Sequence, residues 1–102
     1  MNQPVGTEPK AQELARLLGP CLPEGHTVVL FGSRALGIAR PCSDWDLGIL
    51  GPRPLPSSVM QGLRDRLESY PTLHTIEIVD LEAVPAAFKT EALRGAVEIA
   101  RS

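Results

Sequence analysis

Apolar and polar positions along the chain alternate in blocks that predict the element order α-β-α-β-α-β-α. Ala11, Leu14, Leu17 and Leu18 recur at helical spacing over residues 10–18, and Gly19-Pro20 stops that helix. Thr27-Val28-Val29-Leu30-Phe31 is a short, uninterrupted β-branched and apolar run, as expected of a strand buried on both faces, and it ends at Gly32-Ser33. One or two helical turns are expected from Ser33 to Ile38, then a loop from Ala39 to Ser43 around Pro41, then a strand from Asp44 to Leu50. The proline-rich linker Gly51 to Pro56 leads into a helix that Ser57 or Ser58 can cap, with Val59, Leu63, Leu67 and Tyr70 on its core side and Pro71 at its end. His74 to Leu81 is expected as a third strand. After Pro85, the stripe Phe88, Ala92, Ala96 and Ile99 predicts a last helix. The class is α/β (α+β), a small mixed sheet of about three to four strands with helices packed against it.

Length narrows this to one domain, expected over residues 10–102 behind a flexible segment 1–9, because 102 residues cannot supply a second core. Such a chain buries roughly 60% of its unfolded surface, so a partner or a second copy can help stabilise it. The formal charge is −2, with both signs interspersed, which argues against sequence-independent nucleic-acid binding. Arg34 remains a candidate phosphate contact, while Arg40 reads as a solvated loop residue. Met1 to Lys10 has no apolar signal core, and no run approaches the roughly 20 apolar residues of a spanning helix, so a cytoplasmic protein is expected. Cys21 and Cys42 have no Cys or His neighbours at metal-ligand spacing and read as free thiols without chemistry. His26 and His74 open strands without partners at fixed spacing and read as surface or cap residues.

Candidate chemistry gathers around Asp44-Trp45-Asp46-Leu47-Gly48-Ile49. Side chains alternate on a strand, so Asp44 and Asp46 share one face while Trp45, Leu47 and Ile49 turn into the core and fix the register. Two crowded carboxylates demand compensation, and Mg²⁺ accepts one or two carboxylates together with phosphates and water. A solvated edge strand would carry the same pair without function. Upstream, Gly32 lets the backbone approach a ligand, the amides after it favour an anion at a helix start, and Ser33 adds a hydroxyl. A plain turn and helix cap has the same residues. Ten residues separate Ser33 from Asp44, enough to return the chain beside the turn, so phosphate cradle and metal ligands can meet at one sheet edge. Glu77, an isolated charge in His74-Thr75-Ile76-Glu77-Ile78-Val79, is the candidate third carboxylate of a two-metal site, or else an edge residue facing water. Asp80 and Glu82 at the strand exit read as solvated, and Ser33 lacks the glycine spacing and histidine of a hydrolase nucleophile.

Leu30-Phe31-Gly32-Ser33-Arg34-Ala35-Leu36-Gly37, followed after the ten-residue interval by Asp44-Trp45-Asp46-Leu47, resembles the signature of minimal nucleotidyltransferases in the DNA polymerase β-like superfamily. The likeness continues through Ile76-Glu77-Ile78-Val79-Asp80-Leu81 and covers roughly residues 10–100. It implies a polymerase β palm-like fold, Gly32 and Ser33 at a triphosphate, Asp44, Asp46 and Glu77 as ligands of two Mg²⁺ ions, and AMP transfer from ATP. Many members have Asp where Glu77 stands, and related antibiotic adenylyltransferases have Glu. Leu36 stands where Arg is frequent, which removes one phosphate contact. Short proteins of this kind resemble the transferase half of two-component toxin–antitoxin systems whose other half is an all-helical HEPN-domain protein, adenylylated on tyrosine.

The expected reaction is attack of an acceptor hydroxyl on the α-phosphorus of Mg²⁺·ATP with release of pyrophosphate. A chain this short has no second domain to cradle a small-molecule acceptor, so the acceptor groove is expected on a HEPN-type partner or another copy of the chain. The competing expectation is a non-catalytic, antitoxin-like binding subunit with a vestigial nucleotide site.

Overall fold

The computed structural model describes residues 9–37 and 44–102. Ile38, the expected loop Ala39 to Ser43 with Arg40 and Cys42, and the expected flexible segment apart from Pro9 lie outside the described residues. Three helices, α1 (Ala11–Leu18), α2 (Ser57–Glu68) and α3 (Ala86–Ala92), accompany four strands, β1 (Thr27–Phe31), β2 (Trp45–Leu50), β3 (Ile76–Asp80) and β4 (Val97–Arg101). The strand order is β3-β2-β1-β4. β1 runs antiparallel to β2 and to β4, whereas α2 crosses over to return β3 parallel to β2.

Alternation along the central strands divides the apolar residues into two layers. Val28, Trp45, Leu47, Ile49 and Ile78 join Leu14 and Leu18 of α1 and Met60, Leu63 and Leu67 of α2 in the main core. Leu14, Leu18, Leu47, Ile49 and Leu63 are fully enclosed, and burying each contributes roughly 1.5–3 kcal/mol. The opposite face carries a smaller cluster of Val29, Leu81 and Ala92, with Phe31, Val79 and Val84 packed on it. Gly48 is needed on that face, because a Cβ there would stand 2.5 Å from Leu81 Cδ1.

Several expectations change. The last helix stops at Ala92 rather than running to Ile99. Leu93 caps it, Gly95 takes a left-handed φ of +73°, and the chain leaves as edge strand β4. The stripe Phe88-Ala92-Ala96-Ile99 therefore spans a helix, a turn and a strand. Val97 and Ile99 had the period-two, β-branched pattern of that strand, and Gly95 was its boundary. Ser57 and Ser58 do not cap α2. Pro56 occupies the cap, and Met60 joins the expected Val59 in the first turn, Met60 buried and Val59 partly buried against the same core. His26 is buried, not superficial: its ring nitrogens lie 3.0 Å from the Arg53 carbonyl and 3.3 Å from the Glu24 carbonyl. Asp80 is buried too, and accepts hydrogen bonds from Leu55 N–H at 2.7 Å and Glu82 N–H at 2.9 Å, which tie the linker before α2 to the end of β3. Glu82 accepts from Gly51 N–H at 3.1 Å and pairs with Lys89 of α3 at 2.8 Å. Both acidic residues at the strand exit are structural ties.

Candidate active site

β1 ends in Gly32, whose φ of +77° lies in the left-handed region that favours glycine. The expected helical turns after it amount to one turn, closed by Leu36 N–H donating to Gly32 O at 3.1 Å and ended at Gly37, again left-handed at +74°. A Cβ on Gly32 would lie 2.6 Å from Asp46 Oδ2. The missing side chain is what allows the turn to sit directly against the Asp46 carboxylate.

Asp46 stands opposite Phe31 on one side and opposite Glu77 on the other. Residues paired across neighbouring strands share a face, and strands lie about 4.8 Å apart, so Asp46 and Glu77 project side by side from the face opposite the main core. Asp44 is exposed and immediately precedes β2. Burial pushes the Asp46 carboxyl above its ordinary value, and the negative charges of Glu77 and Asp44 push it further the same way. Glu82 behaves in the opposite sense: the Lys89 ammonium and the Gly51 N–H hold it below the ordinary carboxylate range. The contrast separates a carboxylate held by a cationic partner from one that is partly buried and crowded by like charge. Oxygen donors with uncompensated negative charge suit a hard divalent ion such as Mg²⁺. Among the described residues, no three His, Cys, Asp or Glu side chains already converge as a ready metal cage.

Arg34 is positioned in a way the sequence did not reveal. Its guanidinium lies over the Trp45 ring, 4.8 Å from the centroid, and Nη2 is 3.4 Å from His74 Nδ1. Arginine can only donate, so this contact requires the unprotonated Nδ1 of His74 as acceptor. The signal was Trp45 itself, whose large flat ring, turned to the opposite face of β2 from Asp46, can seat a cation. Cys21 is a half-buried free thiol on the α1 side, remote in the fold from these groups. Among the described residues, open cavities lie beside Glu77 and beside the Gly32-Ser33 turn. One, of about 470 Å³, runs along the β3 edge past Glu77, His74 and Tyr70; the other, of about 500 Å³, opens beside Gly32 and Ser33 beneath α3.

The family model described as Polymerase beta, Nucleotidyltransferase matches residues 22–102, from the turn before β1 to the end of β4. The chain belongs to this nucleotidyltransferase family. Solved structures with the same polymerase beta nucleotidyltransferase architecture come from toxin–antitoxin complexes. A chain of one crystallised with AMP-PNP is 20% identical at a TM-score of 0.65, with 90% of this chain and 73% of that chain covered. A chain of a mutant MntA–HpeT complex is 20% identical at a TM-score of 0.73, with coverage of 93% and 75%. A chain of a complex between a tri-AMPylated Shewanella oneidensis HEPN toxin and its MNT antitoxin is 18% identical at a TM-score of 0.59, with coverage of 90% and 70%. At these identities the likeness is one of fold. No curated protein sequence matches the chain. Among the described residues no helix is long and apolar enough to cross a membrane.

Proposed function

We propose that this nucleotidyltransferase transfers AMP from Mg²⁺·ATP to a hydroxyl group on a helical, HEPN-type partner protein. The observation that carries the reading is the contact between the left-handed Gly32 turn and Asp46, which stands level with Glu77 on the next strand. It supports a phosphate cradle and a carboxylate set serving one ligand. The AMP-PNP complex and the AMPylated HEPN toxin among the structural neighbours support the choice of adenylyl donor and protein acceptor.

In this reading Gly32 lets the triphosphate approach the backbone, Ser33 donates its hydroxyl to a phosphate oxygen, and Arg34 of the same turn is the candidate phosphate cation, swinging from its seat on Trp45. Asp44, Asp46 and Glu77 hold the metal, with Glu77 on the side where the acceptor arrives. Bound Mg²⁺, in two ions, supplies charge neutralisation for the triphosphate and acidifies the acceptor hydroxyl. A bond forms between the acceptor oxygen and the α-phosphorus, the bond from that phosphorus to the bridging oxygen of pyrophosphate breaks, and the hydroxyl proton passes to solvent. Burial, and after it the charges of Glu77 and Asp44, raise the Asp46 pKa, and a cation bound there would offset the cost of keeping the carboxylate ionised.

The test is transfer of label from [α-³²P]ATP to the partner that co-purifies from the native cell. Wild-type protein should label that partner on tyrosine, and the double variant Asp44→Ala/Asp46→Ala should not. Labelling by the double variant would sink the mechanism, and a folded wild type that binds the partner without labelling it would point to a purely neutralising subunit.

A further inference from the structure

The cavity that Gly32 and Ser33 line extends past the phosphate and metal groups towards α3, over residues to which no role has been given above. Phe31, Leu36, Phe88 and Ala92 form its apolar walls, and Glu91 and Arg94 stand at its rim. Two contacts build it. The Phe31 and Phe88 rings meet edge to face, with centroids 6.4 Å apart and planes at 83°. Leu36 rests on the backbone of Gly95, where a Cβ would fall 2.5 Å from Leu36 Cδ2, so the turn after Ser33 is docked against the turn after α3. Although these contacts hold them, Phe88 and Leu36 remain 48% and 53% exposed, an unusual outlay of apolar surface on a small domain.

We infer that this cavity receives the nucleobase of the donor nucleotide, with the Phe88 ring as stacking platform. The inference rests on the nucleotide reading above and specifies where the rest of the molecule goes. The cavity is contiguous with the Gly32-Ser33 turn and lies on the β1 side, whereas Glu77 lies on β3, two strands away. A nucleotide whose phosphates cross Gly32 and Asp46 has its base directed towards α3 and leaves the β3 side to the acceptor. About 500 Å³ is within the usual size of a small-molecule pocket. A base edge presents both donors and acceptors, and the rim offers a carboxylate, Glu91, next to a guanidinium, Arg94, at 3.4 Å.

Binding of Mg²⁺·ATP and of Mg²⁺·tripolyphosphate to the full chain, measured by calorimetry, separates base from phosphates. Phe88→Ala should weaken ATP roughly 5- to 150-fold, the usual loss of one base–aromatic stack, and leave tripolyphosphate unchanged. Phe88→Tyr should retain ATP affinity, and Leu36→Ala, on the exposed turn, should weaken ATP selectively as well. Unaltered ATP affinity in both alanine variants, or equal loss of ATP and tripolyphosphate in both, overturns the inference while leaving the phosphate site standing. Unaltered ATP affinity with lost capture of the helical partner also overturns it, and makes the cavity a protein-docking surface. Wild-type protein that binds neither probe overturns the nucleotide reading and this inference together.

Discussion

The two faces of the sheet are built to different standards. One is sealed by α1 and α2, with Leu14, Leu18, Leu47, Ile49 and Leu63 wholly enclosed. The other carries the seven-residue α3 and, among the described residues, a buried cluster of Val29, Leu81 and Ala92, with Asp46 and Glu77 side by side and no neutralising partner. Stability comes mainly from the first face. The second forgoes coverage and tolerates repulsion, as expected where a ligand completes the structure.

The strongest way to break this comparison is at Asp46. Asp46→Asn should lower AMP transfer by about three orders of magnitude or more, since it weakens a metal contact that acts on the reacting phosphate. The same variant should melt no lower than wild type, and slightly higher, because it removes a mutually repelling charge; calorimetry alongside the transfer assay checks both. A fall in Tm together with activity would show that the carboxylate face is structural after all.

The reverse experiment is Leu63→Ala on the sealed face, which should cost about 2–5 kcal/mol in urea unfolding through the cavity it leaves. ATP affinity, measured well below the melting transition, should not change. Gly32→Ala falls between the two. The left-handed φ and the collision with Asp46 should cost about 1–3 kcal/mol of stability, and ATP affinity should fall as the turn moves away from the carboxylate.

The smallest effect sharpens the comparison by sign. Asp46 has its folded pKa raised above the ordinary 3.8, so its proton favours the fold at low pH, and that contribution is lost as pH rises through the folded value. Glu82 has its pKa lowered from 4.5, so its contribution is present above 4.5 and lost as pH falls through the folded value. Melting curves between pH 3 and pH 7 should therefore show Asp46→Asn and Glu82→Gln altering the pH slope of stability in opposite directions, each by less than about 1 kcal/mol. Slopes of the same sign would mean that Asp46 has a compensating partner.

Much of the fold was legible because each readable element had both a periodic pattern and a punctuating residue. β1 is Thr27–Phe31 as the apolar run indicated, and Leu14, Leu63, Leu67, Trp45, Leu47 and Ile49 are buried as their spacing indicated. The tail was misread because Ala92, Ala96 and Ile99 satisfy a helical period by coincidence, and the left-handed Gly95 between them outweighs it. The pairing of Asp46 with Glu77 required knowing that β2 and β3 are adjacent and parallel, which no local pattern carries. Nor could spacing separate Asp80 and Glu82, which are satisfied by Leu55 N–H and Lys89, from Asp46, which has no such partner among the described residues; only tertiary contacts do so. The cavity beneath α3 depends on Phe88 and Leu36, 52 residues apart in the chain, lining one space, and Leu36 by itself reads merely as the absence of an arginine.

The most direct measurement of the central claim is paramagnetic broadening of backbone amides by Mn²⁺, added with and without ATP. Mn²⁺ with ATP should broaden Gly32, Ser33, Asp46 and Glu77 selectively, Leu14 of α1 and Leu63 of α2 should stay sharp, and Asp44→Ala/Asp46→Ala should abolish the effect. Broadening centred on the sealed face, or an ATP-dependent effect that persists in the double variant, would contradict that claim.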